Sequence, residues 1–260
     1  MTDLNALFRQ RIGLPEEVEI TFDLLDEILV KAAKTIPFEN FCIVKHRPYP
    51  ITRESLIRKI LIHQEGGLCY ELNMLLSYFL IEHGFHMTPM RGIVFNHETQ
   101  AYLPIGRTHV TLLMTHEHQS YVIDTGFGGN LPLTPVPLTG ETVASGNGEF
   151  RITSGDGEHG NYVLEMKMKH KHTDWRIGYA FDTQQPITNL SELNTVQQII
   201  SEHPDSRFHR YPLITRRTDR GQITLTDTSF TQWEDGIMTK EPIDRIRFGK
   251  LLSLHFGLVY

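Results

Sequence analysis

Cysteine is scarce in this chain: 260 residues carry only two, Cys42 and Cys69. Two cysteines make no disulfide framework, which excludes a small stapled scaffold and fits a reducing cytosol. Long apolar runs are missing, so no stretch reads as a membrane span. The start, Met1 to Leu14, is polar and lacks the apolar core of a secretion signal, so none is expected. Excess positive charge is also missing. The net charge is -6, which argues against nucleic acid or an anionic membrane as partner. No internal repeat, low-complexity tract or alternating βαβ pattern is present.

What remains is an ordinary globular composition, 40% hydrophobic and 22% charged, on a chain long enough for two or three packed subdomains. The most informative stretch is Glu65-Gly66-Gly67-Leu68-Cys69-Tyr70-Glu71-Leu72-Asn73. Leu68, Leu72, Leu75, Leu76, Phe79 and Leu80 follow at three- and four-residue steps. They predict a helix with one buried face, stopped near Gly84. Cys69 then sits in or just before the first turn, where free N–H groups and the helix dipole favour a thiolate. The alternative is a buried structural cysteine.

A cysteine nucleophile needs a histidine base and a group that orients it. Of fourteen histidines, His109 stands out, because it lies inside the apolar strand Thr108–Met114. His116, His118, His170 and His172 fall in polar turns or strand ends. Their His-x-His spacing has no accompanying carboxylate or cysteine cluster, so no metal site is expected. Asp124 ends the strand Tyr121–Asp124. A hairpin turning at His116-Glu117 sets Asp124 directly opposite His109, within reach of Nδ1. A one-residue slip would separate the two across the sheet. The glycines 126–129 read either as an ordinary turn or as a nest of N–H groups facing a ligand. Phe38 and Phe127 are candidates for an aromatic slot beside the thiol.

In order, the chain predicts helices around Leu4–Phe8, over Phe22–Lys34, from the Thr52 cap through Leu61, and after Cys69, with a loop over Ile36–Phe41. Residues 89–114, 119–124, 149–153, 162–169 and 175–181 read as strands, with turns at Gly146-Asn147-Gly148 and Gly155-Asp156-Gly157. A helix over Leu190–Glu202, strands at Leu213–Arg217 and Gln222–Thr226, and a final helix carrying Ile246, Leu251, Leu252 and His255 complete it. The expectation is an α+β protein divided at 1–85 (helical, with Cys69), 86–187 (antiparallel β-barrel or curled sheet, with His109 and Asp124) and 188–260 (mixed).

These pieces resemble the arylamine N-acetyltransferases: Ile36-Pro37-Phe38-Glu39-Asn40, Gly66–Asn73, Thr108-His109-Val110 and Val122–Gly128, in that order. In the second half the likeness rests on Asp205-Ser206-Arg207-Phe208 and the Gly221–Leu225 strand. The resemblance implies a helical bundle, a β-barrel and an α/β lid around a papain-like core. It implies Cys69, His109 and Asp124 as a catalytic triad and acetyl-coenzyme A as donor. Arylamines, arylhydrazines or N-hydroxyarylamines are the implied acceptors, in a cytoplasmic enzyme of xenobiotic metabolism. It puts Phe38, Phe127 and Phe208 in the acceptor pocket, and Thr108, Gly126 and Gly128 beside the coenzyme. The chain departs from the family at Glu65, where an arginine is usual. That arginine is suited to pair with Glu39, so the expectation is that Glu65 points to solvent and another cation, such as Arg91 or Arg107, serves Glu39. A cysteine hydrolase with the same triad and a non-catalytic acyl-coenzyme A-binding domain are the alternatives.

Overall fold

The computed structural model describes residues 3–259. The first stretch is helical: α1 (Leu4–Ile12), α2 (Leu25–Thr35), α3 (Phe41–Val44), α4 (Arg53–Leu56) and α5 (Cys69–Glu82), with the short strand β1 (Phe38–Glu39) between α2 and α3. Residues 36–41, read as loop, thus hold β1 and the start of α3; both are too short to leave a periodicity in sequence. The Thr52 hydroxyl caps α4 in a reciprocal box with Ser55, and the chain continues as a wide π-helical turn over Ile57–Ile62. Gly13 and Gly84, with φ of 67° and 85°, end α1 and α5 in the left-handed conformation that glycine adopts at little cost.

Helix α5 is buried on all sides from Cys69 to Ser77, not along one stripe. It is the central rod of the main core, packed by Phe8, Leu25, Ile28, Leu56 and Ile60 on one side and by Val110 and Leu112 on the other. Each such side chain contributes about 1.5–3 kcal/mol of burial, so the start of α5 is held rigidly.

Eleven further strands and helices before the end of the second sheet follow in sequence: β2 (His86–Asn96), β3 (Ala101–Tyr102), β4 (His109–His116), β5 (Gln119–Ile123), β6 (Val136–Pro137), β7 (Val143–Ser145), β8 (Gly148–Ser154), β9 (Tyr162–Met168), β10 (Arg176–Pro186), α6 (Ser191–Glu202) and β11 (Leu213–Arg217). The chain closes with β12 (Gly221–Thr226), β13 (Ser229–Glu234), β14 (Ile237–Pro242) and α7 (Arg245–Phe256). An antiparallel sheet runs β6-β5-β4-β2-β10-β9-β8-β7 and curls until β6 lies against β8, a nearly closed barrel. A second sheet runs β1-β11-β12-β13-β14. Its inner face, Ile214, Leu225 and Phe230, packs on Phe248, Leu251 and Leu252 of α7. Ile246, expected on that buried face, is 72% exposed; Phe248 takes the place. Strand β1 pairs Phe38 with Thr215 and Glu39 with Ile214. This edge joins the helical stretch to the second sheet. No helix among the described residues is long and apolar enough to cross a membrane.

Candidate active site

Cys69 is the first residue of α5. The first helical hydrogen bonds, from the N–H groups of Glu71 and Leu72, both go to the Leu68 carbonyl. The N–H groups of Cys69 and Tyr70 precede that ladder at the positive end of the helix. The Cys69 Sγ lies 3.6 Å from the Thr108 carbonyl oxygen. His109 follows directly as the first residue of β4, and its ring is near enough to Cys69 for the sulfur to raise its pKa.

The other side of the imidazole meets Asp124: Nε2 lies 2.7 Å from Oδ2. The expected contact through Nδ1 is therefore corrected. Nε2 takes the carboxylate, which leaves Nδ1 for Cys69. The expected pairing is corrected as well. The hairpin turns at Glu117-His118, both with positive φ, and Leu112 opposes Ile123. The register has slid by two residues, which keeps His109 and Asp124 on one face but sets them diagonally. A carboxylate and an imidazole bridge that diagonal.

Asp124 is buried, and four groups donate to it. Tyr179 Oη (2.9 Å) shares Oδ2 with His109, while Asn73 Nδ2 (2.9 Å) and the Gly126 N–H (2.7 Å) reach Oδ1. Burial opposes charge on both partners, but their mutual attraction and these hydrogen bonds outweigh it. The Asp124 pKa is held below its usual range, and that of His109 is raised to about 10.

Sequence reasoning had no role for Asn73 or Tyr179. Asn73 carries a usable signal: it is polar, lies one turn after Cys69 on the same helix face, and stands between Leu72 and the apolar run Met74-Leu75-Leu76. Its Oδ1 also accepts from the Thr125 N–H and hydroxyl, so it ties α5 to the end of β5. Tyr179 sits in the distant strand β10, and nothing local in sequence connects it to Asp124.

Gly126 has to be glycine. A Cβ there would stand 2.5 Å from the Cys69 Cα. Its N–H is spent on Asp124, and the Asn130 N–H closes a turn onto the Phe127 carbonyl. Gly128, with φ of 60°, is that turn's left-handed residue.

Cys69 and His109 open into a cleft of about 700 Å³. Phe38, Phe127 and Phe208 line it, as do Thr108, Gly126 and Gly128; Asp124 stands behind His109. The Phe38 and Phe208 rings meet edge to face at 5.8 Å, and Phe127 packs at 5.1 Å from the His109 ring.

Behind Cys69 lies a second charged cluster. Buried Lys59 sets its Nζ 3.0 Å from Glu39 and 2.7 Å from Glu71. Glu71 accepts from the Leu68 N–H and the Tyr49 hydroxyl. The Glu39 N–H donates to the Gly67 carbonyl. Lys59 therefore clamps both flanks of the Gly66–Leu68 segment that precedes Cys69. It is the cation that serves Glu39, in place of Arg91, which donates to the Arg107 carbonyl. Glu65 is half-buried rather than turned fully to solvent. Burial raises its pKa, and the charge of Glu39 adds to the rise against the pull of Lys59.

Known proteins share this arrangement of chain. A family model described as N-acetyltransferase matches residues 21–259. An uncharacterised acetyltransferase of Bacillus subtilis is 38% identical, over 95% of each chain. Among solved structures, arylamine N-acetyltransferase C from Bacillus anthracis aligns with a TM-score of 0.93 at 38% identity, over 99% of both chains. An arylamine N-acetyltransferase from Bacillus cereus, described as having a Cys-His-Glu catalytic triad, aligns with a TM-score of 0.93 at 37% identity, over 100% of both.

Proposed function

The chain belongs to the arylamine N-acetyltransferase family, and from that premise we propose that it carries an acetyl group from acetyl-coenzyme A to arylamines, arylhydrazines or N-hydroxyarylamines by way of an acetyl-cysteine at Cys69. The observation that carries this reading is the line of Cys69, His109 and Asp124, the last two joined by a hydrogen bond, beside an aromatic-lined cleft.

In the first half-reaction His109 Nδ1 takes the proton of the thiol. The Asp124 carboxylate holds Nε2–H and stabilises the imidazolium. The thiolate attacks the thioester carbonyl, and the N–H groups at the start of α5 stabilise the oxyanion. The tetrahedral adduct collapses, the C–S bond to coenzyme A breaks, and the departing thiolate takes the proton from His109. In the second half-reaction the acceptor amine attacks the acetyl-cysteine, and His109 removes its extra proton as the Cys69 C–S bond breaks. Phe38, Phe127 and Phe208 orient a flat amine and exclude water. The carboxylate partner is Asp124 here, whereas the Bacillus cereus relative is described with glutamate. A nucleophilic thiol has to stay reduced, which supports a cytoplasmic setting.

Incubation with acetyl-coenzyme A alone, followed by intact mass, tests the reading. One stable acetyl group on Cys69, released only when an arylamine is added, is the expected result. Turnover without an amine would identify a cysteine hydrolase, and no adduct would leave only binding. Cys69→Ser is expected to fold normally and to keep less than about a tenth of the transfer rate, because the alkoxide is far harder to form.

A further inference from the structure

Most of the cleft wall is apolar, aromatic or glycine, and the second sheet adds uncharged hydroxyl and amide groups from Thr215, Gln222 and Thr224. Formal charge is gathered in one place. Among the described residues that line the cleft, the charged side chains outside the Cys69–His109 pair are Glu98, Asp205 and Arg207. Glu98 stands in the turn between β2 and β3, and Asp205 and Arg207 follow α6. Two carboxylates against one guanidinium leave this end of the cleft with net negative charge.

Both walls that carry these charges are held in place. The Glu98 N–H donates to Asn96 Oδ1 at 2.9 Å, and Gln100 Nε2 donates to the His97 carbonyl at 2.7 Å. On the other wall buried Ser206 donates its hydroxyl to the Ile200 carbonyl at 2.6 Å and accepts the Phe208 N–H at 3.3 Å. Arg207 Nη2 crosses between the walls to Glu98 Oε2 at 3.1 Å. The two side chains are 74% and 77% exposed, so the pair adds little stability and a ligand can part it at small cost. Asp205 has no lysine or arginine partner among the described residues; His203 Nδ1 stands 4.0 Å from its Oδ2. Tyr211 lines the same cleft and is 62% exposed, which leaves a ring face open to a cation.

We infer that Glu98 and Asp205, with the Tyr211 ring, form a subsite for a positively charged group at the end of the acceptor remote from its reacting amine. The inference deepens the acetyl-transfer reading and rests on it for the identity of the reacting end. Phe208 adjoins Arg207 in sequence and meets Phe38 edge to face. An acceptor ring held by these aromatics directs its far end to the charged walls. A cationic end there replaces Arg207 on Glu98 and gains Asp205 as well. An anionic end meets two carboxylates for one guanidinium and is repelled. The chain therefore sorts its acceptors by charge, cationic before neutral before anionic.

The test uses three para-aminobiphenyls that differ only in the para substituent of the far ring: trimethylammoniomethyl, carboxamide or carboxylate. Two quantities are measured for each, relative to the carboxamide. The first is equilibrium affinity for the unacetylated enzyme. The second is the rate at which the amine discharges acetyl-enzyme made with p-nitrophenyl acetate, a donor that needs no coenzyme A. In the wild type the cation should gain about threefold and the carboxylate lose about threefold, the scale of an exposed charge contact. Both preferences should shrink in high salt. Glu98→Gln sets Arg207 against Asp205 alone and should erase them, Glu98→Gln with Asp205→Asn should reverse them, and Arg207→Gln should widen them. All three side chains are more than half exposed, which keeps the test clear of folding defects. Wild-type ratios near one would overturn the inference, as would a wild-type preference for the carboxylate, which would make Arg207 the reader. Variants that change all three acceptors alike would also overturn it, because the residues would then serve only as wall. If affinities follow the expected order but no acetyl-enzyme forms, the subsite stands and the acetyl-transfer reading fails.

Discussion

Asp124 gathers four hydrogen bonds, and every one fixes either its position or its charge. With both oxygens committed, the carboxylate has one orientation in which to hold His109. Asp124→Asn keeps the size but gives the residue an N–H that can donate to Nε2, which stabilises the tautomer unable to take the Cys69 proton. The acetyl-transfer rate is expected to fall at least about a hundredfold, given losses of ~10⁴ in a Ser-His-Asp triad; near-normal turnover would remove Asp124 from the mechanism. The same substitution has a pH signature. The folded His109 pKa, about 10, lies above its ordinary 6.5, so the pair's stabilisation is full below 6.5 and is lost as pH rises towards 10. The Asp124 pKa is lowered from 3.8, so its share is lost as pH falls into the acid range. In Asp124→Asn the alkaline loss should disappear from thermal melts, and the His109 ring signals should titrate well below pH 10.

The start of α5 is held from two sides, and each side has its own test. On the cleft side Gly126 packs against the Cys69 backbone, so Gly126→Ala forces a shift of Cys69. It is expected to cost about 1–3 kcal/mol and most of the activity. At Gly128 the nearest atom to an added Cβ is 3.9 Å away, so Gly128→Ala meets only the left-handed backbone, about 1 kcal/mol. Chemical denaturation and rates of the two variants should rank them in that order. On the far side Lys59 neutralises Glu39 and Glu71. Lys59→Met leaves two buried carboxylates without their cation and is expected to lose about 3–5 kcal/mol. Glu65 is the uncompensated member. Glu65→Gln should stabilise by up to about 0.5 kcal/mol at neutral pH after solvent screening. That gain should vanish in acid, where Glu65 is itself protonated. A loss of stability at neutral pH would show that its charge is compensated.

Over the whole molecule the cleft is a seam between segments far apart in sequence. Buried Asn40 is one of its stitches. Its Nδ2 donates to the Phe208 and Tyr211 carbonyls, at 2.7 and 2.8 Å, and its Oδ1 accepts the Leu213 N–H at 2.8 Å. These bonds fix where Phe208 meets Phe38. Asn40→Ala strands three backbone groups, for about 2–3 kcal/mol, or roughly 5–10 °C in Tm. It should also raise the KM for the acceptor more than it lowers the p-nitrophenyl acetate rate. A pure stability loss with unchanged KM would mean that the wall does not depend on Asn40.

Local pattern carried a large part of this protein. Helical spacing marked α1, α2, α5 and α6, alternation marked most strands of the barrel, and glycines marked the ends of α1 and α5. The Gly-Gly-x-Cys stretch, a histidine within an apolar strand and an aspartate at a strand end picked out three residues that the fold brings together. Each of those signals is written in adjacent residues. Pairing is not. The two-residue slide of the β4–β5 hairpin, the choice of Nε2 over Nδ1, and the donation from Tyr179 depend on how strands far apart settle against α5. The same holds for Lys59, which looks in sequence like one more charge in a short helix and becomes the clamp of the Gly66–Leu68 segment only when Glu39 and Glu71 close on it. Register, ring orientation and buried ion pairs are settled by packing between distant segments, where a displacement of one residue exchanges the buried and exposed faces of a strand; tertiary structure alone decides them.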